Sequence, residues 1–289
     1  MKYAVLGSAG QLGRDLCPLL DGDVVPLTRA EADLTRRESL VETLGKHRPG
    51  VVINCAAYNF VDRAESEPQA AFAVNAWGVR ELALACRDLN CTLVHFSTDY
   101  VFGLEVERRA AYTVNDAPGP LSVYGLSKLA GEYLVRALCP RHFVIRTCGL
   151  YGVWGSGGKG GNFVETMLRL AGEGKPLRVV NDQICAPSYT VDIARATAAL
   201  VQTDRFGLHH LTNAGACSWY EFAKLIFELA GLTADLSPIT SRQFGAAARR
   251  PAFSVLKAAD SGGAGLSVTR TWEAALAAYL AERTLKNKE

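Results

Sequence analysis

A short apolar segment at the start of the chain runs directly into a glycine-rich turn. Residues 3–6 are Tyr-Ala-Val-Leu, the next seven are Gly-Ser-Ala-Gly-Gln-Leu-Gly, and a helical pattern follows over residues 14–20. Strand, glycine turn and helix in this order are typical of a dinucleotide-binding unit, in which a pyrophosphate lies at the helix N-terminus. The spacing is GxxGxxG rather than GxGxxG, and a tight turn without a ligand is the alternative. The candidate cofactor-binding residues here are Gly7, Gly10, Gln11, Leu12 and Gly13.

The end of the second predicted strand, residues 23–27, bears on the choice of cofactor. A unit that prefers NAD often has an acidic residue here for the ribose hydroxyl, whereas this chain has Thr28 and Arg29. An arginine can accept the 2′-phosphate of NADPH, so we expect NADPH, with NADH as the alternative. Arg29 is equally consistent with a solvated loop charge. Asp33 either caps the next helical region or contacts the adenine amine, and Leu34 beside it is a further candidate.

The third predicted strand, residues 51–57, is apolar and ends in small residues. Small residues at the carboxyl end of a parallel strand let a ligand approach the backbone. The cofactor-binding candidates at this end are Ala56, Ala57 and Tyr58.

A tyrosine and a lysine stand four residues apart, at Tyr124 and Lys128, in a segment with helical apolar spacing. At this spacing both side chains lie on one helix face, so we expect the ammonium to lower the tyrosine pKa towards neutrality for proton transfer. Thr98 follows a strand predicted over residues 92–96 and can hydrogen bond to the same substrate oxygen, with Asp99 beside it. A chance pair on an amphipathic helix is the alternative.

Charge and composition argue against several other classes of protein. The net charge is +2 with interspersed acids and bases, which indicates neither a nucleic-acid partner nor a polybasic membrane patch. No apolar run has the length of a membrane span, and the N-terminal segment is typical of a first strand rather than a signal peptide. We therefore expect a cytoplasmic protein. The eight cysteines form no CxxC pair, so we expect free buried thiols rather than disulfides or a metal site.

Two polar residues in apolar surroundings are expected inside the fold. Asn75 lies in a helix predicted over residues 68–89 and would fasten that helix to the sheet. His95, within the fourth strand, is expected to be a packed core residue.

Motifs spread over about residues 1–256 resemble the extended short-chain dehydrogenase/reductases and, more narrowly, the dTDP-4-dehydrorhamnose reductase family. Each motif is weak alone, but together and in this order they are specific. They lie at residues 10–13, 54–57, 58–65, 97–102, 124–128, 162–163, 180–183, 218–223, 250–251 and 254–256.

The resemblance implies a catalytic trio of Thr98, Tyr124 and Lys128. NAD(P)H would transfer a hydride to the C4 keto group of a nucleotide-linked 6-deoxy sugar, dTDP-4-dehydro-L-rhamnose in the first instance. Tyr124 would protonate the alkoxide, while Lys128 would hold the nicotinamide ribose. Related dehydratases have a pattern like Thr-Asp-Glu after this strand, and here Tyr100 replaces the glutamate. This difference favours reduction without dehydration.

We expect two parts in the chain. Residues 1–150 would form a Rossmann-type doubly wound parallel sheet that binds NAD(P), with some later segments returning to it. Residues 151–289 would form mainly a smaller C-terminal α/β cap that binds substrate.

Thr98, Asp99, Asn162 and Arg249 are the candidate substrate-binding residues. Arg249 and its neighbour Arg250 could meet the diphosphate, or could be a solvated pair. A glycine-rich loop at residues 155–161, with Lys159, could close over a diphosphate or be a simple connection.

Three positions depart from the family pattern. Asn59 replaces a threonine, Gly149 replaces a tryptophan expected near the substrate, and Lys257 replaces an aspartate. The first two leave the sugar and the nucleotide open. Two other functions also stay open: an NADP-binding regulatory subunit similar to the beta subunit of methionine adenosyltransferase, and a sugar-nucleotide epimerase. The resemblance also leaves a homodimer open, because some relatives form a magnesium-bridged dimer, but no acidic cluster in this sequence establishes a metal site.

Overall fold

The computed structural model describes residues 1–155, 161–258 and 270–286. Its strands are β1 Lys2–Leu6, β2 Asp23–Leu27, β3 Val51–Asn54, β4 Thr92–Thr98, β5 His142–Thr147, β6 Leu150–Tyr151, β7 Leu177–Val180, β8 Ile184–Cys185, β9 Ser188–Tyr189, β10 Gly207–His210, β11 Cys217–Ser218 and β12 Leu236–Ile239. The helices are α1 Gln11–Leu16, α2 Arg37–His47, α3 Val61–Ser66, α4 Pro68–Phe72, α5 Val79–Asp88, α6 Val123–Leu138, α7 Phe163–Gly172, α8 Thr190–Leu200, α9 Trp219–Leu229, α10 Ser241–Phe244 and α11 Trp272–Lys286.

A six-stranded sheet with the order β10-β5-β4-β3-β1-β2 forms the centre of the molecule, and all its strand pairs are parallel. Every residue of β3 and β4 is buried. Parallel strands covered on both faces have such continuous apolar sequences. The α/β fold with a Rossmann-type parallel sheet is confirmed.

Helices cover both faces of this sheet. On one face, Leu12 and Leu16 of α1 pack with Ile193 and Leu200 of α8 against the strands. On the other face, leucines and valines of α2, α5 and α6 form a second buried cluster. The doubly wound arrangement therefore has its two apolar layers on opposite faces of the sheet.

The strand order reverses beside β1, because the chain places β2 on one side of it and β3 on the other. In open α/β sheets, ligands bind outside the carboxyl ends of the strands at such a point. The glycine turn after β1, the small residues after β3 and the end of β4 at Thr98 all lie at this edge.

Among its described residues, the later part of the chain has three small two-stranded sheets, which pair β11 with β8, β12 with β7, and β6 with β9. Helices α7, α9 and α11 enclose a separate, aromatic-rich core with them. Two later elements return to the large sheet: β10 pairs with β5, and α8 packs against α1.

Several predicted boundaries were wrong for local physical reasons. The first helix begins earlier than predicted and gives way to a 3₁₀ turn at Cys17–Leu19, where Pro18 has no N–H to donate. β3 ends at Asn54 because the Asn54 side chain accepts a hydrogen bond from the Ala56 N–H. By contrast, the helix predicted over residues 68–89 is confirmed: the chain is helical over residues 68–88, with a π-helical segment at Ala73–Gly78.

His95 is fully buried, and its Nδ1 hydrogen bonds with Nδ2 of Asn54 at 3.1 Å. Burial lowers the pKa of His95, as does the nearby Lys128 ammonium. The prediction of a packed core histidine is confirmed. All eight cysteines are free thiols, six of them buried, as predicted.

Within the described ranges, no helix has the length and apolar character needed to cross a bilayer. Most of the predicted glycine loop, including Lys159, lies outside the described residues.

Candidate active site

The glycine turn requires glycine at two positions. Gly7 has a φ of +72°, and a Cβ there would lie 2.8 Å from the backbone nitrogen of Ala56. A Cβ at Gly13 would lie 2.5 Å from the Gly7 carbonyl oxygen. Backbone atoms cannot move aside as a side chain can. At Gly10, by contrast, a Cβ would meet only the Gly7 carbonyl, at 3.2 Å, so the outer side of the turn is open.

This open turn fits a pyrophosphate. Gly10 is the N-cap of α1, and no side chain in the described part of the chain caps this helix end. The first N–H groups of the helix therefore lack an intrahelical partner and suit an anion. Leu12 is buried in the core, and the Gln11 amide donates to the Leu150 carbonyl at 3.1 Å. Gln11 and Leu12 can thus offer a cofactor their backbone groups.

The residues after β2 are joined by hydrogen bonds. The Arg29 side chain is 80% exposed, and its Nε lies 3.1 Å from Oδ2 of Asp33. Asp33 also accepts from the N–H and the hydroxyl of Thr35. The N-cap of α2 is Arg36, without a side-chain cap, so the predicted helix cap is wrong and the adenine contact stays a prediction. Burial raises the pKa of Asp33, but donation from Thr35 and Arg29 outweighs this and lowers it. The Thr28 hydroxyl bonds to Glu31.

The loop after β3 is fixed by a buried asparagine. Oδ1 of Asn75 accepts from the Tyr58 N–H at 2.9 Å, and its Nδ2 donates to the Tyr58 carbonyl and to Oγ of Ser127. Asn75 is 1% exposed, as predicted, but it ties this loop to α6 rather than its own helix to the sheet. Ala56 is half-buried and Ala57 exposed, so this strand end stays accessible.

Helix α6 brings Tyr124 to the end of β4. Ser122 is the N-cap, and its hydroxyl accepts from the Gly125 N–H at 3.1 Å, which places Tyr124 in the first turn. A Cβ at Gly125 would lie 2.3 Å from the Tyr100 carbonyl oxygen, so only glycine allows this approach. The rings of Tyr100 and Tyr124 meet edge to face, 6.1 Å between centroids.

The structure brings Thr98, Tyr124 and Lys128 together. The Thr98 hydroxyl hydrogen bonds to Tyr124, and it donates to Oδ1 of Asp99 at 3.1 Å. It also accepts from the Tyr100 N–H at 3.2 Å. Thr98 therefore links the phenol to a buried carboxyl group.

The predicted direction of the Tyr124 pKa shift was wrong. Burial raises the pKa of Tyr124 to about 12, and the charge of Asp99 adds to this, while the Thr98 hydrogen bond lowers it. The Lys128 ammonium is directed at β4 instead, where it donates to the Phe96 carbonyl at 2.6 Å. A phenol of this kind holds its proton at neutral pH, which suits a proton donor.

Lys128 is 2% exposed. Burial lowers the pKa of Lys128 to about 8, and the charge of Glu132, one helical turn on, raises it. At neutral pH most of the lysine is still cationic.

A buried ion pair beneath these residues was missed in the sequence. Glu132 is fully buried, and its carboxylate accepts two bonds from Arg146, at 2.9 and 2.7 Å, and one from Oγ of Ser97 at 2.5 Å. The available signal was the position of Glu132, four residues after Lys128 on the same buried face of α6. Its partner on β5 could not be identified from spacing.

Asp99 lies in a second network that was also missed. Oδ2 of Asp99 accepts from Oγ of Ser254 at 2.6 Å and from Sγ of Cys148 at 3.1 Å. Asp99 and Ser254 are both 2% exposed. Burial raises the pKa of Asp99 to about 6, and these hydrogen bonds lower it in part. Position 254 was noted in the sequence as part of a motif, without a role.

The predicted substrate-binding residues in the later part of the chain have different surroundings. Asn162 is buried; its Oδ1 caps α7 through the Glu165 N–H, and its Nδ2 donates to the Gly152 carbonyl. Arg249 is exposed. Its neighbour Arg250 makes two bonds to Asp62, at 3.0 and 2.6 Å.

Gly149 has a physical reason to be glycine in this chain. Its φ is +50°, and a Cβ would lie 3.1 Å from Cη2 of Trp219. Trp219, the first residue of α9, packs on Phe163 with 4.8 Å between ring centroids. An aromatic ring from α9 therefore fills the space beside Gly149.

Comparisons with known proteins agree with this geometry. The model of the RmlD substrate binding domain family matches residues 1–285. The chain is 40% identical over 285 residues to the dTDP-4-dehydrorhamnose reductase of Streptomyces griseus, covering 95% of this chain and 91% of the relative. It is 39% identical to the spore coat polysaccharide biosynthesis protein SpsK of Bacillus subtilis, with 98% of each chain covered.

Among solved structures, the chain is similar to the dTDP-4-dehydrorhamnose reductase of Bacillus anthracis, determined in complex with NADP. The TM-score is 0.91 at 37% sequence identity, and the match covers 97% of this chain and 99% of that one. The similarity extends over both parts of the fold.

Proposed function

The chain belongs to the RmlD substrate binding domain family, and we propose that it reduces the keto group of a nucleotide-linked 6-deoxy-4-keto sugar. The substrate is dTDP-4-dehydro-L-rhamnose and the product dTDP-L-rhamnose, as the names of relatives near 40% identity support. One observation carries the proposal: the hydrogen-bonded Thr98 and Tyr124, with Lys128 below them, lie at the strand edge that also holds the glycine turn.

NADPH is the proposed cofactor, with NADH as a second donor. The NADP complex of the similar Bacillus anthracis enzyme supports this choice. Gly7, Gly10 and Gly13 would hold the pyrophosphate, and Arg29 with Asp33 lies where the adenosine ribose would end. When bound, the reduced nicotinamide supplies a hydride to the keto carbon.

The protein's own residues supply and direct the proton. Tyr124 gives its phenolic proton to the sugar oxygen as the C–H bond forms, so the carbonyl becomes an alcohol and Tyr124 a phenolate. The phenolate then recovers a proton from solvent. Lys128, which donates to the Phe96 carbonyl, would hold the nicotinamide ribose. Thr98 orients the sugar oxygen towards Tyr124.

Reduction is favoured over dehydration by the residue after Asp99. Elimination of water needs an acid and a base close together, and Tyr100 stands where a second carboxylate would be required. Burial raises the pKa of Tyr100 well above its usual value, and the charge of Asp99 adds to the rise, so Tyr100 is a poor base at neutral pH.

Asp99, Asn162 and Arg249 stay proposed substrate contacts, and residues 151–289 the proposed substrate-binding part. The buried Asn162 would act mainly by shaping the loop that it caps, whereas the exposed Arg249 can reach a diphosphate directly. Arg250 forms a salt bridge with Asp62 and a hydrogen bond with Tyr100. It therefore contacts the site directly, although Arg249 was the candidate named from the sequence.

A homodimer is also proposed, on the resemblance and on exposed apolar side chains. Trp77 is 60% exposed and Tyr133 is 50% exposed, on neighbouring helical segments. Sedimentation equilibrium tests this: a single species at the monomer mass over a range of concentrations would contradict it.

Absorbance-detected NADPH oxidation tests the proposed reaction. The substrate is generated in situ from a dTDP-4-keto-6-deoxy sugar by the appropriate epimerase, with NADH in parallel. A reductase consumes one NADPH for each sugar reduced. An epimerase would convert the sugar with no net consumption of cofactor, and a purely regulatory subunit would bind NADPH without turnover.

A further inference from the structure

The hydroxyl of Thr98 has more partners than hydrogens. It has one hydrogen and two lone pairs. In the structure the hydrogen points to Asp99, one lone pair accepts from the Tyr100 N–H, and Tyr124 is its third neighbour. The single hydrogen can go to Asp99 or to a substrate oxygen beside Tyr124, but not to both.

Asp99 is positioned entirely by neutral donors. Its two oxygens accept from Thr98, Ser254 and Cys148, and among the described residues it forms no salt bridge. It is 2% exposed, and burial raises its pKa to about 6. Both protonation states of this carboxyl are therefore accessible under ordinary assay conditions.

We propose that the protonation state of Asp99 sets the direction of the hydrogen-bond chain through Thr98, and that Ser254 and Cys148 are the positioning residues that set the pH of the reversal. The inference rests on the proposed reduction and adds a regulation of the same site.

The two states differ in where each hydrogen lies. With Asp99 ionised, Thr98 donates to Asp99, and its free lone pair competes with the sugar oxygen for the Tyr124 proton. With Asp99 protonated, the carboxyl donates to Thr98, and Thr98 turns its own hydrogen towards the sugar oxygen. Only the second arrangement gives the developing alkoxide two donors, Thr98 and Tyr124. The rate of reduction should therefore fall as the pH rises through the midpoint of the Asp99 titration, called the lower midpoint below.

The Cys148 thiol and the phenols of Tyr100 and Tyr124 keep one charge state over this range. A hydrogen bond to Cys185, together with burial, raises the pKa of the Cys148 thiol well above its usual value, so Cys148 stays a neutral donor. Tyr100 and Tyr124 also stay protonated. The charged groups facing the site from other elements are Arg250 beside Tyr100, Glu132 and Arg146 below β4, and Lys128 on α6. Of these, Lys128 titrates in a separate, more alkaline range.

The test is the pH profile of the single-turnover rate with saturating NADPH and keto sugar, measured from about pH 5 to about pH 9. The wild-type rate should fall through a lower midpoint near pH 6, towards a plateau on the order of 10²-fold slower, the usual effect of losing one oxyanion donor. Lys128 should give a second midpoint near pH 8.

Two variants move the lower midpoint in opposite directions. Ser254→Ala removes a donor to the carboxylate and should raise the midpoint by about one pH unit, whereas Ser254→Thr keeps the hydroxyl and should restore it. Cys148→Ser supplies a stronger donor and should lower it. Asp99→Asn should abolish the lower midpoint, whatever the absolute rate of that variant. Cys91→Ser is the control and should leave the midpoint in place, because Cys91 precedes β4 whereas Asp99 follows the other end of that strand.

A merely structural role for Ser254 and Cys148 would change rates without moving the midpoint. A lower midpoint that stays fixed in Cys148→Ser and in folded Ser254→Ala overturns the inference, as does one that survives in Asp99→Asn. If Ser254→Ala does not fold, Cys148→Ser decides. Wild-type turnover without any lower midpoint also overturns this inference alone, whereas absence of turnover refutes the proposed function itself.

Discussion

At the scale of single residues, Tyr124 is suited to donate a proton rather than to accept one. Burial holds its pKa at about 12, so the phenol is protonated over the whole physiological range. Replacement by phenylalanine removes only the hydroxyl and keeps the ring that packs on Tyr100.

Tyr124→Phe should therefore bind NADPH normally and lose roughly 10²- to 10⁴-fold in turnover, the range for removal of a general acid. Tyr133→Phe is the matched control, because Tyr133 lies on the same helix and is 50% exposed. Steady-state rates and NADPH titrations of both variants give the answer. Near-normal turnover in Tyr124→Phe would contradict the proposed mechanism.

The same residues show what sequence can and cannot predict. Tyr124 and Lys128 could be found because their four-residue spacing is local and fixed by the helix. Ser254 and Cys148 reach Asp99 only through the tertiary fold, since 155 and 49 residues separate them from it along the chain. The wrong direction of the Tyr124 pKa has the same origin, because desolvation depends on the packing around the phenol.

At the scale of elements, the first strand, glycine turn and helix could be predicted because each has a local signal. What could not be predicted is how closely the turn packs. A Cβ at Gly13 would lie 2.5 Å from the Gly7 carbonyl oxygen and 2.7 Å from Cα of Ser8. Both of these neighbours are backbone atoms, so a side chain at position 13 could be accommodated only if the turn itself opened.

Gly13→Ala should lower the free energy of unfolding by about 1–3 kcal/mol, the usual cost of overpacking, and should weaken NADPH binding. Gly45→Ala is the control: a Cβ at Gly45 in α2 meets nothing within 4 Å, so alanine should stabilise the helix by up to about 1 kcal/mol. Urea denaturation and cofactor titration measure both effects. Unchanged stability and binding in Gly13→Ala would mean that the turn is looser than described.

The buried ion pair joins two elements, α6 and β5, beneath the site. Arg146 is 2% exposed and Glu132 fully buried. Glu132→Gln would leave the guanidinium without its counter-charge and should destabilise the protein by roughly 3–5 kcal/mol. Chemical denaturation tests this. Glu173→Gln is the control: it breaks an exposed pair with Arg169 and should have little effect on stability. An equally small effect of Glu132→Gln would show that the buried pair contributes little to stability.

At the scale of the whole molecule, the sequence indicated the parallel sheet and the return of later segments to it. The order of the small sheets in the later part had no comparable signal, because their strands, of two to four residues, are too short for periodicity. Their positions are set by the aromatic core that α7, α9 and α11 share with them.

Cofactor binding should stabilise the whole molecule. At about 100 times its dissociation constant, NADPH should add roughly 2.7 kcal/mol to the free energy of unfolding, and thermal denaturation should shift upwards by several degrees. Arg29→Ala should reduce the shift with NADPH more than that with NADH, if Arg29 binds the 2′-phosphate. Equal shifts before and after the change would make Arg29 a solvated charge, and no shift with either cofactor would contradict a dinucleotide site.

The most direct test of the central claim follows the hydride itself. NADPH deuterated at C4 of the nicotinamide is incubated with enzyme and dTDP-4-keto-6-deoxy sugar, and the sugar product is examined by NMR and mass spectrometry. The account predicts one deuterium per product molecule, at C4 of the sugar, formed in step with NADP. A product without deuterium at C4, or NADPH binding with no reduced sugar at all, would contradict it.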